Sequence, residues 1–255
     1  MKKILMSFLM MIAFVALFLT PAMAAPEPDA AQAAFDQGVA ALNHGQTTTA
    51  LEKFSEAIKL NPDLPEAYVN RGLVRLRLDQ PVEAVADFDK AIELAPNFPQ
   101  AYYNRALAYS RGGVYDKALE DYTQAMKYAP KDWEIVYNRG NTYLDMGDPK
   151  KALADYNRAL KLHPKSVEIL HNRGLAYLNL DQAGKALDDA DEVLKLNPNY
   201  ARAQFIRAQA LEKLDQKYEA MAAYRQFLKT GNPEKDQALL QKALVKLKKL
   251  EGKGQ

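Results

Sequence analysis

The sequence predicts an all-α fold made by repetition, an elongated solenoid of six helical hairpins. A shared period in three residue types, regular punctuation within each period, and the composition all point there. Proline recurs at Pro62, Pro96, Pro130, Pro164 and Pro198, and arginine at Arg71, Arg105, Arg139, Arg173 and Arg207. Alanine recurs at Ala50, Ala84, Ala118, Ala152, Ala186 and Ala220, and all three series have a period of 34 residues. Three residue types in one period mark a repeat architecture, in which each unit is one supersecondary element and neighbours bury each other's apolar faces. The frame that fits them runs over 31–234 and divides into units 31–64, 65–98, 99–132, 133–166, 167–200 and 201–234.

Composition narrows the function before any site is sought. Of 255 residues, 48% are apolar and 26% charged, enough for a core and too apolar for a disordered polymer. Lysine and arginine number 34 against 32 acidic residues, a net charge of +2, and Lys2 and Lys3 account for the excess. The remainder is balanced, so nucleic acid is not an expected partner. There is no cysteine, which removes disulfides, thiolate metal sites and cysteine nucleophiles. His44, His163 and His171 are scattered, and neither a metal nor a cofactor is expected.

The first element differs from the rest. Met1-Lys2-Lys3 is basic, Ile4 to Leu19 is apolar apart from Ser7, Pro21 breaks the run, and Ala22-Met23-Ala24 offers small residues at a cleavage site. This is the layout of a secretory signal over 1–24, its apolar run short for a spanning helix of roughly 20 residues. The expectation is export to a bacterial periplasm with a mature start at Ala25. The alternative is an uncleaved inner-membrane anchor facing the periplasm, the one case in which the membrane is a partner. Residues 25–30 form a short tether.

Each unit then reads the same way. Small residues at positions 8 and 20 let two helices approach, and aromatics at 11 and 24 fill the wider parts of the contact. Position 15 holds Gly45, Asp79, Gly113, Gly147, Asp181 and Asp215, residue types that accept the left-handed conformation of a helix end. Proline at position 32 stops the second helix. Residues 235–255 supply a capping helix and tail, with Leu239, Leu240, Ala243, Leu244, Leu247 and Leu250 as its apolar stripe. Lys242, Lys246, Lys248 and Lys249 form its solvated face.

Unit three carries Tyr102 at position 4, then Ala106, Tyr109, Ala118, Tyr122, Ala125 and Pro130 at positions 8, 11, 20, 24, 27 and 32. Unit four has Val136, Gly140, Tyr143, Ala152, Tyr156, Ala159 and Pro164 at the same places. The pattern resembles the tetratricopeptide repeat and covers about four-fifths of the chain. Departures are local: Ala34 and Ala41 in unit one, Ala190 for an aromatic in unit five, Phe227 for a small residue and Pro233 displaced by one in unit six. The resemblance implies a right-handed α-solenoid of helix–turn–helix units and protein partners. The carboxylate clamp of the family's cytosolic co-chaperones is not implied. Phe35, Val39, Gln100 and Asn104 stand at its positions, and of its residues only the central asparagine has a counterpart, Asn70.

No phosphate loop, nucleophile elbow or catalytic constellation is present, and an enzyme is not expected. His163 and His171 fall on either side of Pro164, on different helices. Two polar series remain. Position 7 is the arginine series, and position 23 is Asp87, Asp121, Asp155 and Asp189. The spacing permits pairing within a unit, which leaves Arg207 alone, or across the boundary, which leaves Arg71 alone. Either gives a structural ladder of modest energy if exposed. Position 6 is Asn70, Asn104, Asn138 and Asn172, flanked by Tyr103, Tyr137 and His171 at position 5 and by Leu73, Leu107, Asn141 and Leu175 at position 9.

An amide both donates and accepts, so asparagines in register can hold the backbone of an extended peptide without reading its side chains. This arrangement resembles the asparagine ladder in the repeat arm of the O-linked N-acetylglucosamine transferase. The competing reading has these asparagines bonding to neighbouring helices. The functional expectation is a non-enzymatic scaffold binding an extended segment of a partner protein in a concave groove outside the cytoplasm. The alternative is a structural subunit or assembly factor of an envelope or secretion complex that contacts folded partners.

Overall fold

The structure, a computed structural model, describes residues 28–252. The expected signal and residues 25–27 of the tether lie outside the described residues. The rest of the tether is already helical, because the first helix starts at Pro28. Thirteen helices and no strand occur among the described residues: α1 Pro28–Asn43, α2 Thr47–Leu60, α3 Pro65–Arg77, α4 Pro81–Leu94, α5 Pro99–Arg111, α6 Tyr115–Tyr128, α7 Trp133–Asp145, α8 Pro149–Leu162, α9 Val167–Asn179, α10 Ala183–Leu196, α11 Ala201–Lys213, α12 Lys217–Thr230 and α13 Gln237–Leu250.

The turns follow from position 15. All six of its residues have positive φ, from 56° at Asp181 to 78° at Gly147. In unit three the Gly113 N–H donates to the Ser110 carbonyl at 3.0 Å and the Val114 N–H to the Tyr109 carbonyl at 2.9 Å. That pair of bonds satisfies the carbonyls left at a helix end, and the same pair recurs in every unit. Between units, the chain leaves each of the first five second helices through one residue and then a proline. Four of the next first helices have either proline at N1 or a side-chain cap: Pro65, Pro99, Asp132 and Ser166.

The hairpins close on small residues and rings. The position-20 alanines are all fully buried, as are Phe54, Phe88, Tyr156 and Tyr224 at position 24. The first helix yields to the ring: a Cβ on Gly72 would lie 2.5 Å from Phe88 Cε1, and one on Gly140 2.8 Å from Tyr156 Cε1. Unit five lacks that ring, having Ala190, and the space is filled from the next unit. Ile206 packs with Leu178, Ala186, Ala190 and Ala210, its Cγ2 lying 3.4 Å from where a Cβ on Gly174 would sit.

Stacking sets the larger shape. Each second helix packs on the first helix of the next unit, and consecutive first helices also meet, α3 with α5, α5 with α7, α7 with α9 and α9 with α11. The second helices show no comparable approach, so the row of first helices is the shorter, inner side of the stack. At the far end α13 seats Ala243 and Leu247 against Phe205, Tyr224 and Phe227, with Leu239, Leu240 and Leu250 partly buried. Leu244 does not join that stripe: it is 37% exposed beside Val245.

Candidate functional site: the inner face and its polar ladders

The arginine series bridges units. Arg71, Arg105, Arg139 and Arg173 each reach the position-23 aspartate of their own unit through Nε and Nη2. The Nη2 contacts are 2.7 Å to Asp87, Asp121 and Asp155 and 2.6 Å to Asp189. In the last three arginines, the third guanidinium nitrogen turns to position 25 of the preceding unit. Arg105 Nη1 pairs with Asp89, Arg173 Nη1 donates to Asn157 Oδ1 at 2.8 Å, and Arg139 Nη1 to Thr123 Oγ1 at 3.5 Å. The pairing within a unit is thus to position 23, and the link across the boundary goes to position 25, outside both registers read from the sequence. Arg207, facing Ala223 in its own unit, is not alone: it pairs with Asp191 at 2.7 Å. In unit two, Arg75 adds a second contact to Asp87 at 2.7 Å. All four position-23 carboxylates are buried, so the modest energy of an exposed pair does not apply to them. Hydrogen bonds donated to Asp155 and Asp189 raise the pKa of Arg139 and Arg173 despite their partial burial.

The asparagine series is not a row of four free amides. Asn138 Nδ2 donates to Tyr103 Oη at 3.0 Å, and Asn172 Nδ2 to Tyr137 Oη at 2.9 Å and to Asn141 Oδ1 at 2.9 Å. Asn141 Oδ1 also accepts from Tyr156 Oη at 2.8 Å. Each of these tyrosines or asparagines belongs to a neighbouring helix, so the amides stitch first helices together from unit three to unit five. Burial pushes the Tyr103 hydroxyl up to about 12, keeping it neutral as an acceptor. Asn104 is buried. Asn70 donates within its own helix, to the Glu66 carbonyl at 2.8 Å. The reason is geometric: position 6 lies where consecutive first helices meet, within reach of position 5 one unit back.

His171 takes the tyrosine place in unit five, yet the residue opposite is Ile206, which has no donor to offer. Its Nδ1 is buried without a hydrogen-bond partner, and its ring meets Tyr200 edge-on with centroids 5.3 Å apart. His163 is elsewhere, at the end of α8, stacked on Trp133 at 4.5 Å. The position-25 partners were legible in principle, since Asp89, Thr123, Asn157 and Asp191 form their own 34-residue series of acceptors. Among the described residues no group of histidine and acidic side chains is arranged to hold a metal.

Tetratricopeptide repeat family models match residues 15–65 and 35–101, 88–120 and 155–188, 133–166, and 201–230. No curated protein matches the chain. Among solved structures it is similar to a tetratricopeptide repeat protein from Parabacteroides merdae, at 19% identity and a TM-score of 0.71 over 88% of each chain. It is similar to Pseudomonas aeruginosa pilF at 16% identity and a TM-score of 0.74, over 86% of this chain and 98% of that one. It is also similar to YrrB, a TPR protein with an unusual peptide-binding site, at 22% identity and a TM-score of 0.64, over 76% of this chain and 99% of that one. At these identities the likeness is one of fold.

Proposed function

The chain belongs to the tetratricopeptide repeat family, and we propose that it is a non-enzymatic scaffold holding an extended segment of a partner protein along its inner face, outside the cytoplasm. The observation that carries this reading is the row of consecutive first helices, which brings Asn70 and the partly exposed Leu73, Leu107 and Leu175 into register. The apolar side chains supply contact area and the polar groups between them receive a backbone. YrrB, of the same fold, has a peptide-binding site on such an array. Because Asn138 and Asn172 already bond between helices, the face offers fewer amides than its asparagine count suggests. Each hydrogen bond adds about 0.5–1.5 kcal/mol net, and ordering a flexible peptide opposes binding, so affinity is on the order of micromolar.

Peptides selected from a library of unstructured sequences test the site. A photoreactive residue at Leu73 or Leu107 is expected to cross-link the bound peptide, and one at Glu93 or Lys127 on a second helix is not. Asn70→Ala is expected to weaken binding several-fold with an unchanged melting temperature. Cross-linking from the second helices instead, or binding restricted to folded proteins, overturns the groove in favour of an assembly subunit. The basic start, apolar run and Ala22-Met23-Ala24 support export; N-terminal sequencing of the exported protein is expected to begin at Ala25.

A further inference from the structure

The junction between units five and six lacks the asparagine–tyrosine bond of the two junctions before it. Units three to four and four to five are joined by asparagine–tyrosine bonds, 3.0 Å from Asn138 to Tyr103 and 2.9 Å from Asn172 to Tyr137. At the next junction His171 faces Ile206, and Nδ1 of the histidine is buried with no partner. Arg207 has no aspartate at position 23 of its own unit, where Ala223 stands, and its partner Asp191 is 51% exposed. What holds it is the apolar packing of Ile206 in the space left by Ala190, together with two solvent-exposed ion pairs, Arg207–Asp191 and Lys213–Asp181.

We propose that His171 makes this junction acid-sensitive, so that unit six and α13 open away from an intact stack of units two to five on acidification. An imidazole whose Nδ1 is buried with no partner is held neutral, because a proton there would bring a charge out of water with nothing to receive it. The surrounding groups do not offset that cost. On its own helix the nearby acid is Glu168; Tyr200, the last residue of unit five, meets the ring, Arg202 stands across the junction, and Asp236 and Tyr137 of α7 lie near Tyr200. Arg202 repels a charged imidazole, and its own carboxylate partner is already fixed: Arg202 Nε donates to Asp236 Oδ1 at 2.6 Å, at the start of α13. Contacts from His171 through Tyr200 and Arg202 therefore lead to the cap.

Burial, then Arg202, lowers His171 from its ordinary value near 6.5 to about 4. The opened junction regains the ordinary value and takes up a proton first. Closure is thus fully favoured above about pH 6.5, is lost as pH falls from there towards 4, and levels off below that. The opened population is expected to rise on the order of thirty-fold between pH 7.5 and pH 5.

Hydrogen exchange of the full chain at these two pH values, corrected for intrinsic rates, reads the opening directly. Amides of α11–α13 are expected to lose protection by that factor while α5–α8 keep theirs. His171→Phe, which removes the titrating group and keeps the ring, is expected to abolish the difference. His171→Gln serves if the phenylalanine variant does not fold. Imidazole NMR of the unmodified chain supplies an independent reading, with His171 expected to titrate well below the ordinary range. Equal loss in both proteins, protection lost evenly along the stack, or His171 titrating near 6.5 overturns the proposal.

Discussion

Gly72 and Gly174 occupy the same place in the repeat and face different neighbours. Gly72 lies under Phe88, where an added Cβ would stand 2.5 Å from ring carbon. Gly174 meets no ring, since Ala190 stands at position 24 of its unit, and the atom closest to an added Cβ, Ile206 Cγ2, is at 3.4 Å, an ordinary contact. Glycine inside a helix costs about 0.5–1 kcal/mol relative to alanine through its unfolded-state freedom. Gly174→Ala is therefore expected to raise stability by up to that amount. Gly72→Ala is expected to lower it by about 1–3 kcal/mol, because the ring must shift in a packed core. Urea unfolding of the two variants separates them by sign. The aromatic at position 24 decides which effect wins.

At the scale of the element, the first helices of units two to five are fastened to their second helices by an arginine–aspartate pair, and in units three to five the same guanidinium also reaches the preceding unit. Asp155 is buried and receives two bonds from Arg139, Nε at 2.8 Å and Nη2 at 2.7 Å. Truncating one partner of a buried pair leaves the other charge uncompensated, a cost of about 3–5 kcal/mol. Asp155→Ala is accordingly expected to destabilise by about 3 kcal/mol, the lower end, since Arg139 keeps some contact with water. Asp191, whose side chain is half in solvent, holds Arg207 by one bond. Asp191→Ala is expected to cost less than about 1 kcal/mol, the ordinary worth of an exposed pair. Thermal melting of both variants checks the ratio, and equal losses would show that burial of the carboxylate does not set the energy.

For the whole molecule, stability is a sum over units and the interfaces between them, so damage at one end stays near that end. Removing α13 would expose Phe205, Tyr224 and Phe227, the rings it now covers. A chain ending before Gln237 is expected to lose hydrogen-exchange protection in α11 and α12, retain it in α3–α8, and self-associate on sedimentation through the uncovered apolar face. Uniform loss of protection would instead describe a single cooperative fold. A chain that behaves additively can also rest a partner on several units without reorganising the others.

Much of this was determined by the sequence alone. The 34-residue period, the left-handed turn at position 15, the stop at position 32 and the alanine and aromatic seats of the core are local or strictly periodic, so the residue types carry them. The polar ladders were legible as series but not as contacts. Whether Arg139 meets Asp155 or Asp121 depends on how the helices of a hairpin and its neighbour rotate against each other, and every 34-residue spacing is consistent with both. The fate of the asparagines was decided by stacking: first helices meet at positions 5 and 6, so Asn138 and Asn172 find tyrosines one unit back before any ligand does. The same contact explains the exception. Ala190 leaves a void in unit five, packing density draws Ile206 into it, and the side chain that fills the core there cannot also bond to His171.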